Sequence, residues 1–277
     1  MRQIQPLTPS WQLPLHGKRI LITSPRNYAA RLAQQIINYG GLPILMPTIE
    51  TCRLSNYTAL NTAIGKIEEF DWLIFTSRNG MEAFCQRLEA LGLSSQLLHR
   101  CQVCALGQDG EKLRELGVKV DLIPSEASPQ GIIEQLSTLP KIRGQKVLVP
   151  VPEVVGVPEP NIVPQFTAGL QKLGLQVTRV SAYQTRCLPS KLYEVELDLL
   201  SSGKIEVIAF SSTAEISAFL QMVGGRDGYG SAVIACFGPY TAANAQKLGF
   251  RVKIVSQDFS SFQGFAEAIG SFFASRD

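Results

Sequence analysis

Short apolar runs recur along this chain, most of them followed by a small polar turn and a helix-period stretch, several of which stop at glycine. Residues 19–23 form the first run, and the stretch behind it carries Leu32, Ala33, Ile36 and Ile37 on one face before Gly40-Gly41. Residues 42–46, 71–75, 102–106 and 121–123 are further strand candidates. Helical faces follow at Met81, Phe84, Cys85 and Leu88, at 111–116, and at Ile132, Ile133 and Leu136. The beat resumes with 146–149, a helix over 166–173 and a strand over 177–182. Runs 206–210, 233–237 and 251–255 close the series, with helices marked by Ile216, Phe219 and Leu220, by a stretch up to Leu248, and by Phe265, Ile269 and Phe272. Such alternation predicts an α/β protein, with parallel sheets covered by helices on both faces.

The two halves also resemble each other. Gly17-Lys18-Arg19-Ile20-Leu21 parallels Gly144-Gln145-Lys146-Val147-Leu148, and Phe75-Thr76-Ser77 parallels Phe210-Ser211-Ser212. Leu106-Gly107 with Leu116-Gly117-Val118 parallels Phe237-Gly238 with Leu248-Gly249-Phe250. Two copies of one unit, hence two similar domains, is the economical reading.

Several function classes drop out on composition. With 277 residues, 45% of them apolar and 18% charged, the chain has the make-up of an ordinary globular protein of about two domains. No apolar run reaches membrane-spanning length, and residues 1–15 lack a signal-peptide core, so the expected address is the cytoplasm, away from any membrane. A net charge of +3, evenly scattered, argues against nucleic acid as a partner. Cys101 and Cys104 form a CxxC, but on a strand, residues three apart face opposite ways. The only two histidines, His16 and His99, have no ligand-like companions, so no metal site is expected.

In open parallel sheets, ligands bind at the turns beyond the carboxyl ends of the strands. Here those turns read Thr23-Ser24-Pro25-Arg26, Thr76-Ser77-Arg78-Asn79, Gly107-Gln108-Asp109, Ser211-Ser212-Thr213 and Gly238-Pro239-Tyr240-Thr241. Ser and Thr at such places are also ordinary helix N-caps. Repeated over several turns, however, helix N-termini make a set of anion sites suited to a ligand with many carboxylates, and Arg26 and Arg78 could add charge. The phosphate-binding G-x-G-x-x-G and G-x-x-x-x-G-K-[ST] patterns and the hydrolase G-x-S-x-G are absent from the sequence.

Phe75-Thr76-Ser77-x-Asn79-Gly80, Gly238-Pro239-x-Thr241-Ala242 ahead of Leu248-Gly249, Ser181-Ala182-Tyr183-Gln184-Thr185, residues 17–23 and Pro47-Thr48-Ile49-Glu50 together resemble the uroporphyrinogen-III synthase family. The likeness covers nearly the whole chain from Gly17 onward. It implies two Rossmann- or flavodoxin-like domains joined by a two-stranded β-ladder. One would comprise 17–49 plus 184–277 and the other 50–183, with 1–16 a poorly ordered extension whose Trp11 docks on the body. It implies a cofactor-independent, monomeric lyase of haem and tetrapyrrole biosynthesis that closes hydroxymethylbilane with loss of water and inversion of the last ring. Tyr183 aligns with the family's catalytic residue. The substrate would be held by Thr23, Ser24, Arg26, Thr76, Ser77, Asn79, Gly107, Gln108, Ser211, Ser212, Thr213, Gly238, Tyr240 and Thr241. Two departures from the pattern stand out: Ser24 replaces an Arg, with Arg26 two positions on, and a Pro-rich stretch over 150–160 replaces an Arg-Gly turn. That stretch reads as a semi-rigid connecting loop. The alternatives are a non-catalytic two-lobed binding protein for an anionic small molecule, or a nucleotide-sugar or nucleotide-binding transferase.

Overall fold

A computed structural model describes residues 8–225, 228–259 and 261–274. Two compact units emerge. The first runs through Glu50, resumes at Gly156–Pro158 and again from Arg186; the second holds Thr51–Val155 and Glu159–Thr185. Residues 1–7 of the expected extension lie outside the described residues. The part that follows is built into the first unit: Leu15 is fully buried, Leu15 N–H donates to Tyr39 O, and Trp11 is exposed rather than docked.

In chain order the first unit contains β1 (Arg19–Ile22), α1 (Arg26–Asn38) and β2 (Leu42–Leu45). Next comes β3 (Ile49–Cys52), which carries the chain across the boundary. The second unit then supplies α2 (Thr58–Gly65), β4 (Trp72–Phe75), α3 (Arg78–Ala90), β5 (Gln102–Ala105), α4 (Gly107–Glu115) and α5 (Pro129–Ser137). It continues with β6 (Lys146–Val155), α6 (Ile162–Lys172) and β7 (Gln176–Cys187), which crosses back. The first unit is completed by α7 (Glu194–Ser201), β8 (Val207–Phe210), α8 (Thr213–Met222), β9 (Val233–Cys236), α9 (Pro239–Lys247), β10 (Val252–Val255) and α10 (Phe262–Ala274).

Each unit has a five-stranded sheet, ordered β10-β9-β8-β1-β2 in the first and β3-β7-β6-β4-β5 in the second. The ladders of β1 with β2 and β8, of β8 with β9, of β9 with β10, and of β4 with β5 and β6 are all parallel. The repeat seen in the sequence is thus also a repeat in topology: β9-β8-β1-β2 corresponds to β5-β4-β6-β7.

Period-two side-chain alternation buries both faces of each sheet. In the first unit Ile20, Ile22, Val207 and Ala209 pack with α1 and α10 residues such as Leu32 and Phe265. Their sequence neighbours Leu21, Ile208 and Phe210 pack on the opposite side with Ile216, Phe219 and Ala242 of α8 and α9. In the second unit Leu73 and Phe75 join Met81 and Phe84, while Trp72 and Ile74 join Ile132 and Phe166. Cys101 and Cys104 fall into different clusters, as the strand geometry predicts.

The structure differs from the sequence reading in two stretches. Residues 121–123 form no strand, only a parallel bridge of Leu122 to Cys104. The Asp121 carboxylate takes the Val103 N–H, a ladder donor, and Pro124 next in line brings none. Nor is the stretch from Pro150 a loop, because β6 continues through Pro150 and Pro152 to Val155. Its register with β4 covers only Trp72↔Val147 and Leu73↔Leu148, so prolines beyond it break no bond to β4. The segment after β6 is then held by the first unit. Gln221 Nε2 donates to Gly156 O at 2.9 Å, and Val157 packs with Ile49, Ala214 and Ala218.

Candidate active site

The carboxyl ends of the parallel strands present the turns singled out above, and the first unit gathers several of them around one acid. Glu215, in the first turn of α8, is 1% exposed. Its Oε2 accepts from Thr23 Oγ1 at 2.9 Å, from Ser211 N–H at 2.9 Å and, at 3.5 Å, from Ser24 Oγ. Its Oε1 accepts from Ser211 Oγ at 2.5 Å and Ser212 Oγ at 3.0 Å. Ser212 in return accepts the Glu215 N–H at 3.4 Å as the N-cap of α8, while the carboxyl takes the backbone N–H of Ser211, one residue before the cap, a variant of the capping box. Thr48 Oγ1 donates to the Glu215 carbonyl at 3.1 Å, and Thr241 Oγ1 reaches Ser211 O at 3.5 Å. Burial pushes the Glu215 carboxyl up from its ordinary range, against the lowering effect of these donors.

Sequence reasoning missed Glu215. The S-x-x-E pattern of Ser212 to Glu215 was there to be read as a capping box. Its partners Thr23 and Ser24, however, come from 192 and 191 positions away, and no local pattern announces them.

Thr23 and Ser24 are fully buried, and their hydroxyls face inward to this carboxyl; Ser24 Oγ also lies 2.9 Å from Ser211 Oγ. Ser211, Ser212 and Thr213 keep partial exposure. Arg26 is exposed as the first residue of α1, close enough to Tyr193 to oppose the rise that burial imposes on that phenol. Gly238 caps α9, followed by Pro239 at its first position, with Tyr240 exposed and Thr241 buried behind it.

In the second unit, Ser77 caps α3 by accepting the Gly80 N–H at 3.2 Å, and Thr76 and Asn79 flank it, both partly exposed. Arg78 Nε donates to Asp109 Oδ1 at 2.8 Å, tying this turn to the Gly107-Gln108 turn that opens α4. Gly107 has φ +40, a left-handed conformation that a side chain would strain. Tyr183, on β7, is buried with Phe75 and Met81, and its ring approaches the α3 turn. A Cβ at Gly80 would stand 3.9 Å from Tyr183 Cε1, 3.3 Å from Pro150 O and 3.2 Å from Ser77 Oγ.

Four of the thiols are held in the neutral form by burial. Burial pushes Cys85 up to about 11 and Cys101, Cys104 and Cys236 up to about 12. Among the described residues no group of three or more His, Cys, Asp or Glu could hold a metal ion, and no helix is long and apolar enough to cross a membrane.

A family model described as uroporphyrinogen-III synthase HemD matches residues 30–265. The chain belongs to the uroporphyrinogen-III synthase family. The uroporphyrinogen-III synthase of Synechococcus elongatus is 32% identical over 254 residues, which cover 89% of this chain and 92% of that protein. That of Chlorobaculum parvum is 25% identical over 256 residues, covering 91% and 98%. A crystal structure of a mutant uroporphyrinogen III synthase from Thermus thermophilus shares the fold, with a TM-score of 0.64 at 17% identity over 92% of this chain and 99% of that one. The uroporphyrinogen-III synthase family is one of enzymes, and membership places this chain in tetrapyrrole biosynthesis. The two-lobed binder is accordingly not favoured.

Proposed function

We propose that this protein closes hydroxymethylbilane to uroporphyrinogen III, with Tyr183 as the catalytic residue and the βα turns as the grip on the substrate. The observation that carries the reading is the setting of Tyr183, a buried ring packed over an α3 turn that Gly80 keeps free of a side chain.

The chemistry asks for little beyond position and one proton. The terminal C–O bond of the bilane breaks and its hydroxyl leaves as water, assisted by a proton or hydrogen bond from the Tyr183 phenol. The electrophilic methylene so formed bonds to the substituted α-carbon of the last ring, giving a spiro intermediate. The bond from that carbon to its original methylene bridge then breaks, and the released bridge carbon bonds to the ring's free α-carbon, which loses a proton. Nothing is oxidised or reduced along this sequence, so it calls for no electron or hydride acceptor, and we propose that no cofactor takes part. Without enzyme the bilane closes to the non-inverted isomer, so the protein must fix the substrate's shape. Well-held geometry can supply about 7–11 kcal/mol.

The turn residues with at least partial exposure, Arg26, Thr76, Ser77, Asn79, Gly107, Gln108, Ser211, Ser212, Thr213 and Tyr240, are assigned to the substrate carboxylates, together with the buried Gly238 at the start of α9. Helix N-termini favour anions through their free N–H groups and partial positive charge. Thr23, Ser24 and Thr241, buried behind them, hold the turns in place. The protein is proposed to act as a cytoplasmic monomer.

The test is turnover of freshly generated hydroxymethylbilane by the wild type and by Tyr183→Phe. The variant is expected to keep its fold and to lose about 100-fold or more in turnover. Wild-type turnover in the Phe variant would remove Tyr183 from the reaction.

A further inference from the structure

Glu215 is the only buried charged side chain among the described residues, and no Lys, Arg or His among them pairs with it. Burying a carboxyl without a cation is costly. Capping does not require it, because Ser77 caps α3 with no acid three residues on.

The internal repeat shows what stands in its place. Phe75-Thr76-Ser77-Arg78-Asn79-Gly80 aligns with Phe210-Ser211-Ser212-Thr213-Ala214-Glu215, so Glu215 corresponds to Gly80. Aligning Gly17–Leu21 with Gly144–Leu148 makes Thr23 correspond to Pro150. The contacts agree: Thr23 hydrogen-bonds to Glu215, and a Cβ on Gly80 would meet Pro150 O. One position, under the end of the neighbouring strand, is therefore filled by a carboxyl in one unit and left open beside Tyr183 in the other.

We propose that Glu215 is a positioning residue that locks the turns after β1 and β8 into a fixed platform for substrate carboxylates, while its counterpart Gly80 leaves the equivalent space to Tyr183. This rests on the turns being the carboxylate grip. The carboxyl itself touches no substrate. It joins Thr23 and Ser24 on one turn to Ser211 and Ser212 on the other, and so fixes how the partly exposed Ser212-Thr213 amides are presented.

Glutamine can keep most of this arrangement. Its oxygen can accept from Ser211 N–H and Thr23, while its amide donates to the Ser211 and Ser212 hydroxyls, which accept as readily as they donate. Alanine keeps none of it.

The test measures Kd for uroporphyrin III, an octacarboxylate, together with Tm, for wild type, Glu215→Ala, Glu215→Gln and Thr23→Val. Glu215→Ala is expected to weaken Kd roughly tenfold, with Glu215→Gln within about threefold of wild type and Thr23→Val in between. A merely structural Glu215 would lower Tm and leave the Kd of the folded protein unchanged, and that result in Glu215→Ala overturns the proposal. Should Glu215→Ala not fold, an unchanged Kd in Thr23→Val overturns it equally. Type III isomer formation by wild type is assayed in parallel, so its absence would count against the proposed activity, whereas the Kd comparison bears on Glu215 alone.

Discussion

Arg78 Nε donates to Asp109 Oδ1 across 2.8 Å and so fastens the turn after β4 to the turn after β5. Both side chains are partly buried, 33% and 13% exposed, which spares the pair some of the screening that makes surface ion pairs weak. Asp109→Asn keeps the shape and removes the charge. It is expected to cost no more than about 1 kcal/mol of stability and to raise KM several-fold, because the two turns, both proposed to grip the substrate, lose their common anchor. Steady-state kinetics alongside a thermal melt checks both halves; an unchanged KM would show that the turns hold without the pair.

Gly80→Ala probes the space beside Tyr183. Helix propensity favours alanine by about 1 kcal/mol, whereas contacts of 3.2 Å to Ser77 Oγ and 3.3 Å to Pro150 O force a local shift costing about 1–3 kcal/mol. The balance is a net loss of up to about 2 kcal/mol, so Tm should fall by no more than a few degrees while turnover drops about tenfold as the Tyr183 surroundings move. Turnover tracking Tm alone would contradict this.

Phe75 meets Phe84 edge to face with centroids 5.6 Å apart, and Phe210 meets Phe219 the same way at 5.3 Å. Both pairs join a strand to the helix that follows it, and all four rings are buried. Phe84→Ala and Phe219→Ala should therefore destabilise their units alike, by about 3–5 kcal/mol each. Denaturant melts of the two variants would show whether the repeat extends to energetics; a clearly smaller loss in one would show that its core repacks.

The Glu215 carboxyl carries a signed pH dependence. Burial raises its folded-state value, so above the unfolded-state value of ordinary glutamate the native state binds more protons than the unfolded state. Stability from this group is therefore full below that unfolded value and is lost as pH rises through the folded one. Glu215→Gln lacks the effect. Its stability relative to wild type should improve from about pH 4 towards neutral, measured by melts across that range. A difference that is flat with pH would contradict the assignment.

Much of the fold was legible because the central β-runs are apolar on both faces and several helices, among them α1, α4, α6 and α9, stop at a glycine. Runs 19–23, 71–75 and 206–210 became β1, β4 and β8 with little change. The misreadings share a cause, which is that hydrogen bonding outvoted composition. Pro150 and Pro152 read as loop formers, yet β6 continues through them where no bond to β4 is at stake. Asp121-Leu122-Ile123 read as a strand, yet the Asp121 side chain claims the Val103 N–H. Of the candidate site, the turn residues were visible as small polar clusters at strand ends. What organises them was not: Glu215 gathers hydroxyls from opposite ends of the sequence, and only the parallel placement of β1 beside β8 brings them together.

The most direct measurement is the isomer formed from hydroxymethylbilane. The purified protein is given freshly generated bilane, the products are oxidised, and the uroporphyrin isomers are separated by chromatography next to a control without enzyme. Predominance of the inverted type III isomer is the predicted result. Only the spontaneous type I isomer, from a sample shown to be folded, would contradict the proposed activity.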